Sequence, residues 1–452
     1  MTTYKSFILP IIAILFSINA ISQEGGKFTL EQAQQYAIVN NYDLINALTD
    51  VEIARKRVKE NLAIGLPQIN AGAGYNYNIE LPTQLIPAEF MGGEEGEFAE
   101  VQFGTKHNAS WNASLTQLLF SGEYIVGIMA SKAYVGLIQS NLQKSEIDIK
   151  EIVAKSYYPV IILSENKKVF DSTLVNLTKM LTETEAYYEI GFVEDTDVDQ
   201  LKLLISDMET TITNIDNQLE ISYNTLKYIM GLDAEAEIEV ANTLEELMGG
   251  IDREYLLSSG FDYNQHIEHV VLMNQEKMAL LNLKLKRSEY YPNLNGFYSF
   301  QQDAQRGKFD VFNPDGAWYT SQMVGLKLNV PIFSSGNRKY KVQQAQLELN
   351  KLKVLDNQLK QGLTLKVRTV KSEFNNAYLI YNNKQLSVGN AQKIYDKTNV
   401  KYKEGLSTSL ELAQTYNQYL TTQIEYLSST LELLNKKTEL EKELTKAAQN
   451  AN

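Results

Sequence analysis

Residues 69–79 read INAGAGYNYNI, a stretch in which every second residue is apolar or aromatic and the residues between are small or polar. Alternation with a period of two predicts a β-strand with one apolar face and one polar face. The same alternation occurs at residues 108–115 and 324–330. Strands of about ten residues with these two faces suit a transmembrane β-barrel, and a soluble sheet packed on a core produces the same pattern.

Three short motifs occur twice in the same order, which indicates an internal repeat. LPQIN at residues 66–70 returns as YPNLN at 291–295, LFSG at 119–122 as IFSSG at 332–336, and YEIG at 188–191 as YKEG at 402–405. The last two pairs are offset by 213 and 214 residues. Each half is therefore predicted to contain a helix, two strands joined by a loop, a very long helix, a tight turn and a returning helix.

The repeat divides the chain into residues 1–22, a first repeat at 23–230, a connector at 231–260 and a second repeat at 261–452. Strands are expected at about 68–80 and 107–120 in the first repeat, and at about 293–304 and 319–332 in the second. The long helices are expected at about 122–189 and 336–403, and a helix of roughly 68 residues is about 100 Å long. The returning helices then cover about 195–230 and 408–445.

Both returning helices carry a narrow apolar seam with steps of three and four residues, which predicts coiled-coil hairpins. An ordinary helical-bundle core produces the same seam. Gly191 and Gly405 lie where the antiparallel helices must turn, and glycine tolerates the backbone that such turns need. The predicted seams are Val198, Leu201, Ile205, Met208, Ile212, Ile215 and Leu219, and then Leu410, Ala413, Asn417, Leu420, Ile424, Leu427, Leu431 and Leu434.

Residues 1–22 have the pattern of a secretory signal peptide: Lys5, an apolar run, and small residues Ala20 and Ser22 before Gln23. The alternative is an N-terminal membrane anchor, for which the apolar run is shorter than the ~20 residues that a bilayer needs. Because the chain has no cysteine, we expect no lipid anchor. Since no later apolar run could form a transmembrane helix, we expect any membrane insertion to use β-strands.

Charge and motif content argue against several classes of function. Acidic residues outnumber basic ones by 55 to 42, a balance that argues against a nucleic-acid partner. The chain has no phosphate-binding loop and no nucleophile arrangement, so we expect no enzyme and no cofactor. His266 and His269 lie one turn apart without a third ligand, which is typical of a helix surface and not of a metal site. The acidic segment from Glu94 to Glu100 is expected to be a solvated loop.

Four strands cannot close a barrel, and an open sheet edge is not tolerated in lipid. The chain is therefore expected to oligomerise, with a multiple of four strands and at least eight.

In combination, these features resemble the TolC-like outer-membrane efflux family over residues 28–446. The motifs that carry the resemblance are FTLEQA at 28–33, NN at 40–41, GLPQI at 65–69, the LFSG junction and both Tyr-x-x-Gly turns. The resemblance implies an α+β membrane protein that forms a homotrimer, with a 12-stranded barrel in outer-membrane lipid. A long α-helical barrel with coiled-coil tips would continue it through the periplasm, with residues 231–260 in an equatorial belt.

The resemblance also implies a function. The trimer would be a passive exit duct of a tripartite efflux or type I secretion system. A periplasmic adaptor and an inner-membrane efflux pump or ABC transporter would dock at the tips, marked by Gly191 and Gly405, and open the duct. The alternative from a different class is an exported coiled-coil scaffold or adhesin that forms no pore and has no use for amphipathic strands.

Matching positions in the family suggest gate residues. Asp197 and Tyr402 would link the two hairpins as a latch, through a hydroxyl-to-carboxylate bond. Glu411 would line the pore constriction, whereas Gln414 and Ser407 replace the acidic and basic residues that the family has at those positions. This departure predicts one carboxylate ring instead of two and weaker cation binding. Without the resemblance, Asp197 could equally cap the returning helix, and Glu411 could belong to a solvated face.

Overall fold

The computed structural model describes residues 26–447 except residues 312 and 314. The signal peptide predicted at residues 1–22 lies outside them. The described elements, in chain order, are β1 (Gly26–Phe28), α1 (Leu30–Asn40), α2 (Tyr42–Ala63), β2 (Gln68–Tyr77), β3 (Thr83–Pro87), β4 (Phe98–Gln102), β5 (His107–Ser121), α3 (Gly122–Glu189), α4 (Asp195–Met230), β6 (Ile238–Val240), α5 (Leu244–Gly249), α6 (Arg253–Ser258), α7 (Ile267–Ser288), β7 (Asn293–Arg306), β8 (Tyr319–Asn329), α8 (Asn337–Lys403) and α9 (Ser409–Leu444). Short 3₁₀ helices occupy Ala88–Met91 and Tyr263–Gln265.

The chain forms two compact units, and each unit takes segments from both predicted repeats. The unit that we call the helical unit comprises the described parts of Met1–Tyr42, Ile147–Ser259 and Thr369–Lys442. The other, the sheet unit, comprises those of Asp43–Glu146, Gly260–Arg368 and Glu443–Asn452. Among the described helices, none combines the length and the apolar character needed to cross a lipid bilayer.

A four-stranded antiparallel sheet in the order β2-β5-β7-β8 dominates the sheet unit. The registers Ile69↔Leu115, Leu115↔Tyr298 and Tyr298↔Val324 place apolar side chains of all four strands on one face. Ile69 is 74% exposed and Val324 is 81% exposed. The apolar face is therefore not the core of this unit, which argues against a soluble sheet packed on its own core.

The strands differ from the predicted ones at their ends and in number. β2 ends at Tyr77 instead of about residue 80, and β8 ends at Asn329, two residues before Pro331, which has no N–H to donate to a ladder. The segment expected to be a plain loop contains the hairpin of β3 and β4. A parallel pair of β1 and β6 in the helical unit was also not predicted, because three-residue strands show no period.

The core of the helical unit lies between α3, α4, α8 and α9. Its buried residues are Phe170, Leu177, Met180, Leu201, Leu204, Met208, Ile215, Tyr395, Leu412 and Tyr416. The predicted seam of α4 is buried at Leu201 and Met208. The predicted seam of α9 is wrong at Leu410 and Ile424, which are exposed, because Leu412 and Tyr416 face the core instead.

Candidate gate at the tips of the helical hairpins

Two glycine turns reverse the chain at the ends of the long helices. Gly191 has φ +78°, and its N–H donates to the carbonyl of Tyr188 at 2.9 Å. Gly405 has φ +72° and donates to the carbonyl of Tyr402 at 3.0 Å. Both conformations lie in the left-handed region that ends many helices and favours glycine. The predicted tip residues therefore form equivalent turns, one on each hairpin.

The helices that return from these turns begin with capped ends. The carboxylate of Asp197 accepts a hydrogen bond from the backbone N–H of Glu194 at 3.2 Å, as part of a capping box. The hydroxyl of Thr408 accepts one from the backbone N–H of Glu411, also at 3.2 Å. Each bond satisfies an N–H that has no partner within its helix. In this structure Asp197 thus has the capping role that was one of its two interpretations.

Tyr402 connects the two hairpins through a different residue from the expected one. Its hydroxyl lies 3.1 Å from that of Thr184 on α3. Burial raises the pKa of Tyr402, and the nearby charge of Asp197 raises it further against the opposing hydrogen bond of Thr184. The phenol therefore stays protonated and can donate. The structure places Asp197 close enough to act on Tyr402 electrostatically, while Thr184 is the hydrogen-bond partner.

The predicted constriction residues lie on the exposed side of the first turns of α9. Glu411 and Gln414 are both exposed and three residues apart, so they occupy the same side of the helix. The hydroxyl of Ser407 donates to the carboxylate of Glu411 at 2.7 Å. Ser407 therefore contacts Glu411 without neutralising its charge.

One further contact between the hairpins, and one within a hairpin, were not predicted. The hydroxyl of Ser409 donates to the side-chain carbonyl of Gln200 at 3.0 Å, and Ser409 is buried. Within the first hairpin, Lys202 of α4 and Glu185 of α3 form an ion pair at 3.2 Å. The sequence signal for the contact of Ser409 is a polar residue at a core position of a helical hairpin, because a buried polar side chain needs a polar partner. Sequence spacing could not identify that partner.

The tips enclose an open cavity of about 940 Å³, lined among others by Tyr187, Phe192, Asp197, Tyr402 and Ser407. Its polar groups are hydroxyls, carboxylates, backbone atoms and the ammonium of Lys403. Such groups can hold two hairpins together by hydrogen bonds.

The histidine pair lies elsewhere, and the expected surface location is wrong for His266. His266 is only 5% exposed, and its side chain accepts a hydrogen bond from the N–H of Glu268 at the start of α7. Its Nε2 atom lies 3.6 Å from the buried carboxylate of Glu443, which also pairs with Lys366. His266 thus both caps α7 and lies in a buried site beside a carboxylate. In the described part of the chain, no group of three His, Cys, Asp or Glu residues could hold a metal ion.

Comparisons with known proteins agree on one family. A family model described as outer membrane efflux protein matches residues 33–232 and 275–445. The chain is 22% identical over 417 residues to outer membrane protein TolC of Escherichia coli strain K12, and the alignment covers 90% of this chain and 79% of that protein. It is 21% identical over 343 residues to TolC of Vibrio cholerae, and the alignment covers 75% of this chain and 72% of that protein.

Solved structures show the same fold. A crystal structure of CusC aligns with a TM-score of 0.70 at 16% identity, covering 93% of this chain and 92% of that one. The Campylobacter jejuni CmeC outer membrane channel aligns with a TM-score of 0.67 at 15% identity, covering 93% and 87%.

Proposed function

The chain belongs to the outer membrane efflux protein family, whose members are non-enzymatic channels, and on this premise we propose that it forms a passive trimeric exit duct across the outer membrane and the periplasm. The family establishes an outer-membrane efflux channel and not an enzyme. The trimer, the closed barrel and the periplasmic course of the helices are parts of the proposal.

The observation that carries the proposal is the four-stranded sheet. Its edge strands β2 and β8 bear unpaired backbone groups on their outer sides within the described chain, and its apolar face is exposed. In lipid, such edges must pair with another strand. Three copies joined edge to edge would give twelve strands and a closed barrel, with the apolar face toward lipid and residues such as Asn112 and Ser114 toward water.

The hairpin tips support docking of partners. The tips present exposed apolar side chains, including Ile190, Phe192 and Leu406. We propose that a periplasmic adaptor packs there and that an inner-membrane efflux pump or ABC transporter supplies the energy. Asp197 and Tyr402 would hold the closed tips together, with Thr184 as an additional partner, and Glu411 would line the constriction. The proposed duct carries no lipid anchor, since the chain lacks cysteine.

The test is the mass and the conductance of one detergent-purified preparation of the mature protein. A mass near three protomers, with small cation-preferring currents in planar bilayers, is the expected result. A soluble monomer without currents would overturn the duct and favour the exported coiled-coil scaffold.

A further inference from the structure

The helix ends that adjoin the four-stranded sheet are basic in an acidic protein. Residues 56–65, 282–291, 336–343 and 122–129 together contain nine Lys or Arg residues and three carboxylates, although the whole chain has a net charge of −13. The loops at the other end of the sheet have the opposite character: residues 78–106 contain six glutamates and one lysine. The two ends of the sheet therefore carry opposite charge.

Much of the basic charge is not neutralised by the protein. Of the three carboxylates, Glu289 accepts ion pairs from Lys286 at 3.0 Å and Lys341 at 3.2 Å. The other two carboxylates of these segments are those of Glu60 and Glu123. Five exposed residues have no carboxylate within ion-pair distance in the part of the chain that the structure describes. We call them the basic collar: Lys56, Lys59, Lys284, Arg287 and Lys339.

Contacts hold these helix ends together. The guanidinium of Arg338 at the start of α8 donates to the carbonyl of Pro331 at 2.8 Å, and Lys341 reaches Glu289 just beyond the end of α7. The hydroxyl of Tyr124 at the start of α3 donates to the carbonyl of Leu62 near the end of α2 at 3.1 Å. The collar thus rests on a packed junction and not on separate loops.

Exposed apolar side chains lie between the basic collar and the strands. Ile332 is 91% exposed and Phe333 is 84% exposed, values that are costly in water. We call these residues the apolar rim: Ile64, Leu66, Tyr290, Tyr291, Ile332 and Phe333. From the sheet outward, an apolar face is followed by aromatic and aliphatic residues and then by cations. This order matches the hydrocarbon, interface and headgroup layers of one lipid leaflet.

We propose that the basic collar binds the phosphate headgroups of anionic phospholipids in the leaflet nearest the helices, with the apolar rim in the interface below them. The inference rests on the proposed barrel, because only a sheet in lipid places the collar at headgroup depth. Charge complementarity favours anionic lipid over neutral lipid, since each lysine or arginine near an anionic surface adds attraction.

The test compares lipids by native mass spectrometry of the full-length protein in detergent, titrated with phosphatidylglycerol or with phosphatidylcholine of the same chains. The wild type should retain phosphatidylglycerol preferentially, and added salt should weaken that preference. In the triple variant K284Q/R287Q/K339Q the preference should fall about a hundredfold, because three charges are removed. The matched control K351Q/K353Q/K397Q removes three exposed lysines of α8 that lie farther along the chain from the sheet and should leave it unchanged.

Other results would overturn the inference. The inference is wrong if the wild type shows no preference for phosphatidylglycerol. It is also wrong if the triple variant of the basic collar retains the preference of the wild type. If the triple variant no longer has the mass of a trimer but still prefers phosphatidylglycerol, the collar contacts a second copy of the chain and not lipid. Currents of the wild type in phosphatidylcholine bilayers test the duct separately. Normal currents without lipid preference would refute the collar alone, whereas absent currents would refute the duct.

Discussion

The hydroxyl of Tyr402, at the end of α8, lies 3.1 Å from the hydroxyl of Thr184, near the end of α3. The two residues are 218 positions apart, and Thr184 is only 2% exposed. Tyr402 is half-buried. A hydrogen bond of this kind stabilises a contact modestly, and removing one partner leaves the buried hydroxyl of Thr184 without it, which is costly. It is the direct bond by which Tyr402 joins the two hairpins within one chain.

If this bond helps to hold the tips closed, removing either hydroxyl should open the duct. We expect Tyr402→Phe and Thr184→Val each to raise single-channel conductance in planar bilayers, because about 1 kcal/mol of closed-state stabilisation is lost. The double variant should add little to either single one, since both remove the same bond. Asp197→Ala should also raise conductance if its carboxylate contributes to the latch. An Asp197→Ala effect without any Thr184→Val effect would assign the latch to the carboxylate instead.

Glu411 should control the charge preference of the channel. Replacing it by Gln removes the single carboxylate ring that three copies would form, so the ratio of cation to anion permeability should fall. Gln414→Glu should act in the opposite direction and strengthen block by divalent cations, because it adds a second ring one turn away.

Reversal potentials in asymmetric salt measure both changes. Glu209→Gln is the control, since Glu209 is also exposed on a returning helix but lies away from the tip. Equal shifts in Glu411→Gln and Glu209→Gln would mean that the effect is one of overall charge.

The elements that could be predicted from the sequence are those determined by residues close together in the chain. A period of two indicated three of the four strands of the large sheet, and the internal repeat indicated the fourth. The Tyr-x-x-Gly turns located both tips, because positive φ selects glycine strongly. The bond of Tyr402 to Thr184 and that of Ser409 to Gln200 could not be predicted, since long-range partners leave no periodic signal. The role of His266 was missed for the same reason: its acidic neighbour, Glu443, follows it by 177 residues.

Three glycines with positive φ should respond differently to alanine. At Gly191 and Gly405 a Cβ atom would meet no atom within 4 Å, so substitution should cost only the backbone strain, about 1 kcal/mol. At Gly231, φ is +77° and a Cβ would lie 2.1 Å from the carbonyl oxygen of Asn40. Gly231→Ala should therefore lower the thermal unfolding midpoint much more than Gly405→Ala. Similar midpoints would show that the chain around Asn40 can move aside.

A network of lysines and carboxylates should make the helical unit sensitive to acid. Burial favours the neutral form of Glu151 and Glu439, but hydrogen bonds from lysines, Lys155 among them, outweigh it and hold the pKa of each carboxyl below its ordinary value. A carboxyl with a lowered pKa in the folded state stabilises the fold above its unfolded pKa, near 4.3. That contribution is lost as the pH falls through the folded pKa, so the network should weaken below about pH 4.

Lys155→Met tests the network, because it removes one cation from both carboxylates. The folded pKa values should rise toward or above the unfolded ones, so the variant should unfold at a higher pH than the wild type and lose about 1 kcal/mol at neutral pH. Lys168→Met is the matched control, since the ion pair of Lys168 with Glu165 lies on one helix and Lys168 is 70% exposed. Circular dichroism during acid titration in detergent measures both. Equal acid midpoints for the two variants would mean that Lys155 contributes no more than an exposed pair does.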